Sequence, residues 1–134
     1  MSHITKVKTE IKDLEMLKKA CEAIGLKFNE NQTSYRWYRS QKNKCDHAIS
    51  IPNNSNAYEI GVIKKNDSYE LEWDTWNNGY GLVDKAGKNM SLLKTSYSKH
   101  VVLNEIDPLL MEGYTLEEEI DTKTGDLILN LIKY

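Results

Sequence analysis

The sequence predicts an α+β fold: an antiparallel-rich sheet with two helices, in the order β-α-β-β-β-β-α-β-β, within a single domain spanning residues 1–134. Two observations support this fold class. Short runs rich in aromatic and β-branched residues are separated by polar stretches of Asn, Ser and Gly, which is typical of strands and turns. Two longer segments repeat apolar residues at helical spacing. Both helices are therefore expected on one face of the sheet.

The chain begins with a strand and a helix. Alternation from His3 to Ile11 predicts a first strand with one mostly polar face. Asp13 is a good N-cap for the helix that follows, and Gly25 occupies the C′ position that ends it. The apolar stripe of this helix consists of Leu14, Leu17, Cys21 and Ile24.

Four short strands are expected in the middle of the chain. They are Tyr35 to Arg39, Cys45 to Ile51, Tyr58 to Lys64 and Tyr69 to Trp73. The last two are predicted to form a hairpin. In that hairpin Tyr69, Leu71 and Trp73 face inward, whereas Glu70, Glu72 and Asp74 face outward.

A second helix and a closing hairpin complete the prediction. Met90 to Asn104 suits a helix with the stripe Leu93, Tyr97 and Val101, and Pro108 is expected beyond its end. Tyr114, Leu116 and Ile120 begin the hairpin, whose turn spans Asp121 to Asp126, and Leu127, Leu129 and Leu131 return from it.

Composition excludes several classes of function. A formal net charge of −2 argues against binding extended nucleic acid, which depends on many phosphate contacts. No apolar run is long enough for a transmembrane helix and no signal peptide opens the chain, so the expected location is cytoplasmic. The sequence lacks a clustered ligand set for a metal, a phosphate-binding glycine loop and a nucleophile motif. We therefore expect no cofactor and favour a non-enzymatic role.

The strongest functional feature is the segment Tyr35-Arg36-Trp37-Tyr38-Arg39-Ser40-Gln41, which contains the only two arginines. Arginine stacks on aromatic rings and binds carboxylate or phosphate bidentately, as lysine cannot. Trp76 lies near an Asn/Gly loop and could add a stacking surface, and His3 lies on the polar first strand. The candidate ligand-binding residues are Arg39, Arg36, Tyr38, Trp37, Gln41, Lys42, Lys44, Trp76 and His3.

The spacing of the two arginines limits how they can act together. On a regular strand Arg36 and Arg39 point to opposite faces, because side chains alternate with period two. They can serve one pocket only if a bulge or turn intervenes near Tyr38 to Ser40. Arg39, which runs into Gln41, Lys42 and Lys44, is the preferred candidate.

Several motifs resemble a family of hypothetical reading frames from plastids, cyanobacteria, other bacteria and phages, the Ycf thirty-five-like proteins. They are Met1-Ser2-His3, Val7-Lys8-Thr9, Leu14, Leu17, Ala20, Gly25, Arg36, Tyr38, Arg39, Gln41, Asp46, Ile49, Tyr58-Glu59-Ile60-Gly61, Tyr69-Glu70-Leu71, Tyr97 and Gly125-Asp126-Leu127. Ser40 replaces an expected glycine, and Trp37 replaces an expected small residue. The resemblance implies a compact cytosolic domain and no agreed catalytic activity.

Two hypotheses of function follow. The first is a non-enzymatic binding domain for a small anionic ligand, with a nucleotide as one form. If the gene is viral, the protein would sequester a host signalling nucleotide. The alternative is a protein-interaction subunit, whose aromatic side chains and open strand edge dock an ATPase or another protein partner. A homo-oligomer is compatible with both.

Overall fold

A five-stranded antiparallel sheet forms the centre of the protein. The structure, a computed structural model, describes residues 4–38, 41–110, 112–120 and 127–133. In spatial order the central strands are β1 (Ile4–Ile11), β7 (Ser68–Asp74), β6 (Ile60–Lys65), β5 (His47–Ser50) and β2 (Lys27–Asn29). Two further pairs form separate sheets: β3 (Ser34–Trp37) with β4 (Gln41–Lys44), and β8 (Tyr114–Ile120) with β9 (Leu127–Lys133). The predicted α+β class is confirmed.

Helix α1 (Leu14–Ala23) begins and ends as its sequence predicts. The Asp13 carboxylate accepts a hydrogen bond from the Met16 N–H at 3.2 Å and so caps the first turn. Gly25 follows the helix with a φ of +81°, a conformation that glycine adopts without steric cost. Local sequence therefore determines the length of α1.

Helix α3 (Ser91–Leu110) packs across α1 through polar as well as apolar contacts. The Tyr97 hydroxyl accepts hydrogen bonds from the Lys12 N–H (3.0 Å) and the Asp13 N–H (3.1 Å). The Ser96 hydroxyl donates to the Ala20 carbonyl at 3.0 Å. These bonds fasten the start and middle of α1 to the face of α3.

The prediction that α3 ends before Pro108 is wrong, because the helix continues to Leu110. Proline removes one helical hydrogen bond, and near a helix end that loss affects only the final turn. Three short elements were also missed: β2, β4 and a third helix, α2 (Leu82–Ala86). Each has only three to five residues, which is too short to show a clear hydrophobic period.

The main core lies between the helices and one face of the central sheet. Leu17, Cys21 and Leu93 from the helices pack with sheet residues Val62 and Leu71, all 0 % exposed. The other large buried members include Ile11, Ile49, Ile60, Trp73, Leu82, Met90 and Tyr97. The prediction that Leu71 and Trp73 face inward is confirmed.

Asp74 was predicted to face outward, and this is wrong, because the side chain is 0 % exposed. Asp74 is the last residue of β7, and the turn from Trp76 to Gly81 follows it. Its carboxylate accepts a hydrogen bond from the Trp76 N–H at 2.9 Å. Strand alternation still holds here, because Asp74 lies on the face of Glu72, opposite to Leu71 and Trp73; the prediction fails because that face is covered at this point.

The opposite face of the sheet is covered by the β3–β4 hairpin. Tyr35 is fully buried there, and its ring lies over Gly61 of β6. The Asn43 side chain of β4 donates a hydrogen bond to the Tyr35 hydroxyl at 3.3 Å. This contact places the end of β3 beside the segment that enters β6.

The closing hairpin of β8 and β9 is confirmed, while its turn from Asp121 to Asp126 lies outside the described residues. A salt bridge of 2.7 Å joins Lys99 of α3 to Glu118 of β8. Both side chains are more than a third exposed, at 37 % and 42 %, so the pair contributes at most about 1 kcal/mol.

Candidate functional site

A pocket of about 570 Å³ opens beside the end of β3. Its described lining comes from three segments: the end of β3, the stretch before β6 and the turn after β7. The lining residues are Arg36, Trp37, Tyr38, Ser55, Asn56, Tyr58, Trp76 and Tyr80. Five of these eight are aromatic, so the pocket presents several flat apolar surfaces and few charges.

Arg36 is held in place by three hydrogen bonds to the stretch before β6. One guanidinium nitrogen (Nη2) donates to the Ala57 carbonyl at 2.6 Å. The Arg36 backbone N–H donates to the Glu59 carboxylate at 2.8 Å, and the Glu59 N–H donates to the Arg36 carbonyl at 2.9 Å. Arg36 therefore joins the hairpin to the sheet as well as lining the pocket.

Two donors beside the pocket are buried and have no hydrogen-bond partner among the described residues. They are the Nε atom of Arg36 and the indole Nε1 atom of Trp37. A buried donor without an acceptor costs about 1–3 kcal/mol. Both atoms are enclosed by protein, so a ligand in the pocket would contact other atoms of these two side chains.

A left-handed helical turn forms another wall of the pocket. Asn77, Asn78, Gly79 and Tyr80 have φ angles of 48°, 53°, 66° and 53°, with positive ψ. Asparagine and glycine tolerate this conformation best, whereas for Tyr80 it costs about 1–2 kcal/mol. The Gly79 carbonyl accepts a hydrogen bond from the Tyr58 N–H at 2.9 Å, which fixes the turn against the stretch before β6.

The turn brings two aromatic pairs together. Tyr58 and Tyr80 meet edge-to-face with ring centroids 5.2 Å apart, and Tyr38 and Trp76 do so at 6.0 Å. Burial, followed by the nearby Asp74 carboxylate, raises the pKa of Tyr58 to about 12. Tyr58 is therefore neutral at physiological pH. It is buried, whereas the rings of Trp76 and Tyr80 are more exposed.

A second cavity, of about 450 Å³, adjoins the first. Arg36 and Ser55 line both cavities. The remaining described lining of the second cavity is mostly polar and consists of Ser50, Ile51, Asn53, Asn54 and Glu59.

The structure brings together four of the nine residues selected from the sequence: Arg36, Trp37, Tyr38 and Trp76. Arg36 and Trp37 are the last two residues of β3, and both line the pocket. Gln41, Lys42 and Lys44 lie exposed on β4, outside the pocket lining. Lys42 is paired with Arg36, and Gln41 with Trp37. Arg39, Ser40 and His3 lie outside the described residues.

The sequence-based selection missed Tyr58, Tyr80, Ser55 and Asn56. Tyr58 was assigned to a strand, but β6 begins only at Ile60, so Tyr58 lies in the connection before it. Its position directly after an Asn- and Ser-rich stretch was the signal that could have identified it. Tyr80 stands between two glycines, which already indicates an unusual backbone at that position.

The described part of the chain lacks two other kinds of feature. Within the described ranges, no three His, Cys, Asp or Glu side chains are grouped closely enough to hold a metal ion. In the same part of the chain, no helix is long and apolar enough to cross a membrane.

The fold and the pocket define a small α+β protein with an antiparallel sheet and an aromatic-lined cavity. Comparison with known sequences then identifies the family. The chain belongs to the family described as "protein of unknown function (DUF1257)", whose model matches residues 20–129. The resemblance to Ycf thirty-five-like proteins is thereby confirmed.

Three relatives illustrate this similarity, each called "uncharacterized protein ycf35". The protein from Cyanophora paradoxa is 31 % identical over 132 residues, covering 96 % of this chain and 94 % of the relative. The Pyropia yezoensis protein is 28 % identical over 131 residues, with the same coverage of 96 % and 94 %. The Guillardia theta protein is 34 % identical over 74 residues, covering 55 % and 56 %. No solved structure matches the chain.

Proposed function

We propose that the protein is a non-enzymatic binding domain for a small anionic ligand that carries a flat ring, in its simplest form a nucleotide. The observation that carries this proposal is the convergence of five aromatic side chains and Arg36 on one pocket of about 570 Å³. Small-molecule sites typically have this size and combine apolar walls with a few polar groups. Stacking on aromatic side chains contributes about 1–3 kcal/mol per base.

The anionic part of the proposal is supported by Arg36 and its surroundings. Arg36 supplies a positive charge in the described lining, and a guanidinium group favours acceptor atoms such as phosphate oxygens. Lys42 lies opposite Arg36 on β4, so a second cation stands close to the pocket. The cytoplasm remains the expected location and a homo-oligomer remains compatible with binding.

Isothermal titration calorimetry of the purified protein against a panel of nucleoside mono-, di- and triphosphates tests the proposal. We expect saturable binding of at least one member. Replacing either exposed ring, in Trp76→Ala or Tyr80→Ala, should weaken that binding about tenfold or more, because a stacking surface is lost. Charge reversal in Arg39→Glu should weaken it as well, since an attractive charge becomes repulsive.

Leu92→Ala is the matched control, since Leu92 is also large, apolar and exposed, at 50 %, but lies on α3 outside the pocket lining. It should bind like the unmodified protein. Absence of binding across the whole panel would contradict the proposal. Wild-type affinity in both Trp76→Ala and Tyr80→Ala would show that the ligand does not bind in this pocket. Wild-type affinity in Arg39→Glu would contradict the proposal that the ligand is an anion.

The alternative, docking of an ATPase or another protein partner, draws on one observation. Trp76 and Tyr80 are 38 % and 45 % exposed, and large aromatic side chains often anchor protein interfaces. This role predicts that no nucleotide of the panel binds in calorimetry. It also predicts a stable protein partner that Leu92→Ala still binds and Trp76→Ala does not.

A further inference from the structure

The two cavities beside Arg36 lie side by side, since Arg36 and Ser55 line both, and we refer to the pair as the groove. The stretch from Ala57 to Glu59 holds Arg36 at this junction through the Ala57 carbonyl and the Glu59 carboxylate. The Arg36 guanidinium group therefore lies at the boundary between the two cavities and is held there by these hydrogen bonds.

The two compartments differ in chemistry. The first contains the aromatic side chains, whereas the described lining of the second contains none and instead offers hydroxyl and amide groups from Ser50, Asn53 and Asn54. Aromatic walls favour stacking of a ring, while amide and hydroxyl groups favour hydrogen bonding to ring edges and sugar hydroxyls. At about 570 and 450 Å³ the compartments are similar in volume.

Charge in the groove limits the kind of anion it suits. Among the described lining residues, Arg36 is the only cation and Glu59 the only carboxylate. A triphosphate would place several negative charges near Glu59 with one arginine to balance them. A single phosphodiester group carries one charge, which the one guanidinium group can balance.

We propose that the groove is one bipartite site for a dinucleotide-type ligand, with one base among the aromatic side chains, the linking phosphate at Arg36 and the second nucleoside in the polar compartment. This inference rests on the proposed function and specifies its ligand class. Joining two units raises affinity because the second unit binds at a high effective concentration once the first is in place.

Calorimetry with two matched sets of probes tests this inference: the dinucleoside monophosphates ApA, GpG, CpC and UpU, and the corresponding nucleoside 5′-monophosphates. We expect at least one dinucleoside monophosphate to bind about tenfold more tightly, or better, than its mononucleotide. A nucleoside 5′-monophosphate carries about two negative charges at neutral pH and a phosphodiester carries one, so the affinity ratio includes this charge difference. The contribution of the second compartment is the part of the ratio that a substitution in that compartment removes.

Asn53→Gly tests whether the polar compartment supplies that contribution. Asn53 lines this compartment and has a φ of 61°, which glycine adopts easily, so the change removes the amide without straining the backbone. It should reduce the affinity ratio by about fivefold or more, because the second unit loses hydrogen bonds. Asn66→Gly is the matched control, since Asn66 has a φ of 55° in the exposed turn between β6 and β7. It should leave the ratio unchanged.

The outcomes separate this inference from the function on which it depends. Mononucleotides that bind as tightly as dinucleoside monophosphates would overturn the bipartite site and leave the proposed function standing. An unchanged affinity ratio in Asn53→Gly would also overturn it. Failure of both probe sets to bind would overturn the inference and contradict the proposed function together.

Discussion

At the scale of single residues, the absence of a side chain at Gly61 allows the β3–β4 hairpin to pack against the central sheet. A Cβ atom built at Gly61 would lie 2.3 Å from Cδ1 and 2.4 Å from Cε1 of the Tyr35 ring, far inside van der Waals contact. The ring can therefore lie flat on the sheet only because residue 61 is glycine. Arg36 and Trp37 follow Tyr35 directly, so this contact also sets where they reach the pocket.

Gly61→Ala is therefore expected to lower the free energy of unfolding by about 1–3 kcal/mol, because it overpacks a buried contact. Urea unfolding followed by circular dichroism measures the change. The same substitution should cost much less in a Tyr35→Ala background, where the ring is absent. A double-mutant cycle with no coupling between the two positions would show that the Tyr35 contact does not cause the loss.

At the scale of secondary-structure elements, one side chain of α3 supports the start of α1. The Tyr97 hydroxyl accepts hydrogen bonds from two consecutive backbone N–H groups, those of Lys12 and Asp13. These N–H groups lie between β1 and α1, outside both elements, and buried backbone donors need an acceptor. Tyr97 thus couples the first helix to the last one across 84 and 85 residues of sequence.

Tyr97→Phe should reduce the free energy of unfolding by about 1–2 kcal/mol, since two partly buried donors lose their acceptor while the ring packing is kept. Thermal or urea unfolding provides the measurement. Tyr69→Phe deletes the same atom from a half-buried tyrosine on β7 and should change stability by less than about 0.5 kcal/mol. Equal effects of the two substitutions would contradict the role assigned to the Tyr97 hydroxyl.

The segment from Trp76 to Gly81 has a backbone conformation that its sequence predicts only in part. Asn77, Asn78 and Gly79 indicate a turn, which the structure confirms. Their sequence does not indicate a left-handed turn that includes Tyr80, because an isolated tyrosine disfavours that conformation. The backbone bond from Tyr58 to Gly79 offsets part of the cost, and it depends on a contact 21 residues away in sequence.

At the scale of the whole molecule, buried ionisable groups make the folded state sensitive to alkaline pH. Burial raises the pKa of Cys21 to about 12, and it raises the pKa of Tyr58 to about 12 as well. Unfolding exposes both groups and returns them to ordinary pKa values near 9 and 10. Above those values the unfolded chain ionises first, so stability falls as the pH rises toward 12.

Cys21 and Tyr58 should therefore add almost no pH dependence to the free energy of unfolding below pH 8. Between about pH 9 and 12 they should make it decline. Cys21 alone contributes up to about 4 kcal/mol of this decline, since each pKa unit corresponds to about 1.4 kcal/mol. Urea unfolding across this pH range measures the slope. Cys21→Ala should lower stability at neutral pH through loss of packing, yet flatten the alkaline decline. A decline as steep as that of the unmodified protein would contradict the role of Cys21.

Local sequence was enough to predict the fold class, the family and the limits of α1, and to select the segment around Arg36 as a candidate site. These features depend on local information: the hydrophobic period, the cap residues Asp13 and Gly25, and the choice of arginine among aromatic residues. Candidate residues within one short segment could be selected for the same reason, because neighbours in sequence remain neighbours in the fold.

Tertiary structure alone decided which distant segments meet. It joined Tyr58 and Tyr80 to Arg36 and Trp76, buried Asp74 at the end of β7, and left Lys42 exposed on β4 outside the pocket lining. The physical reason is that hydrogen bonds between segments far apart in sequence hold these positions, and no local period records them. The pocket exists because the chain folds back on itself at the ends of its strands, where strand alternation alone does not predict which side chains are covered.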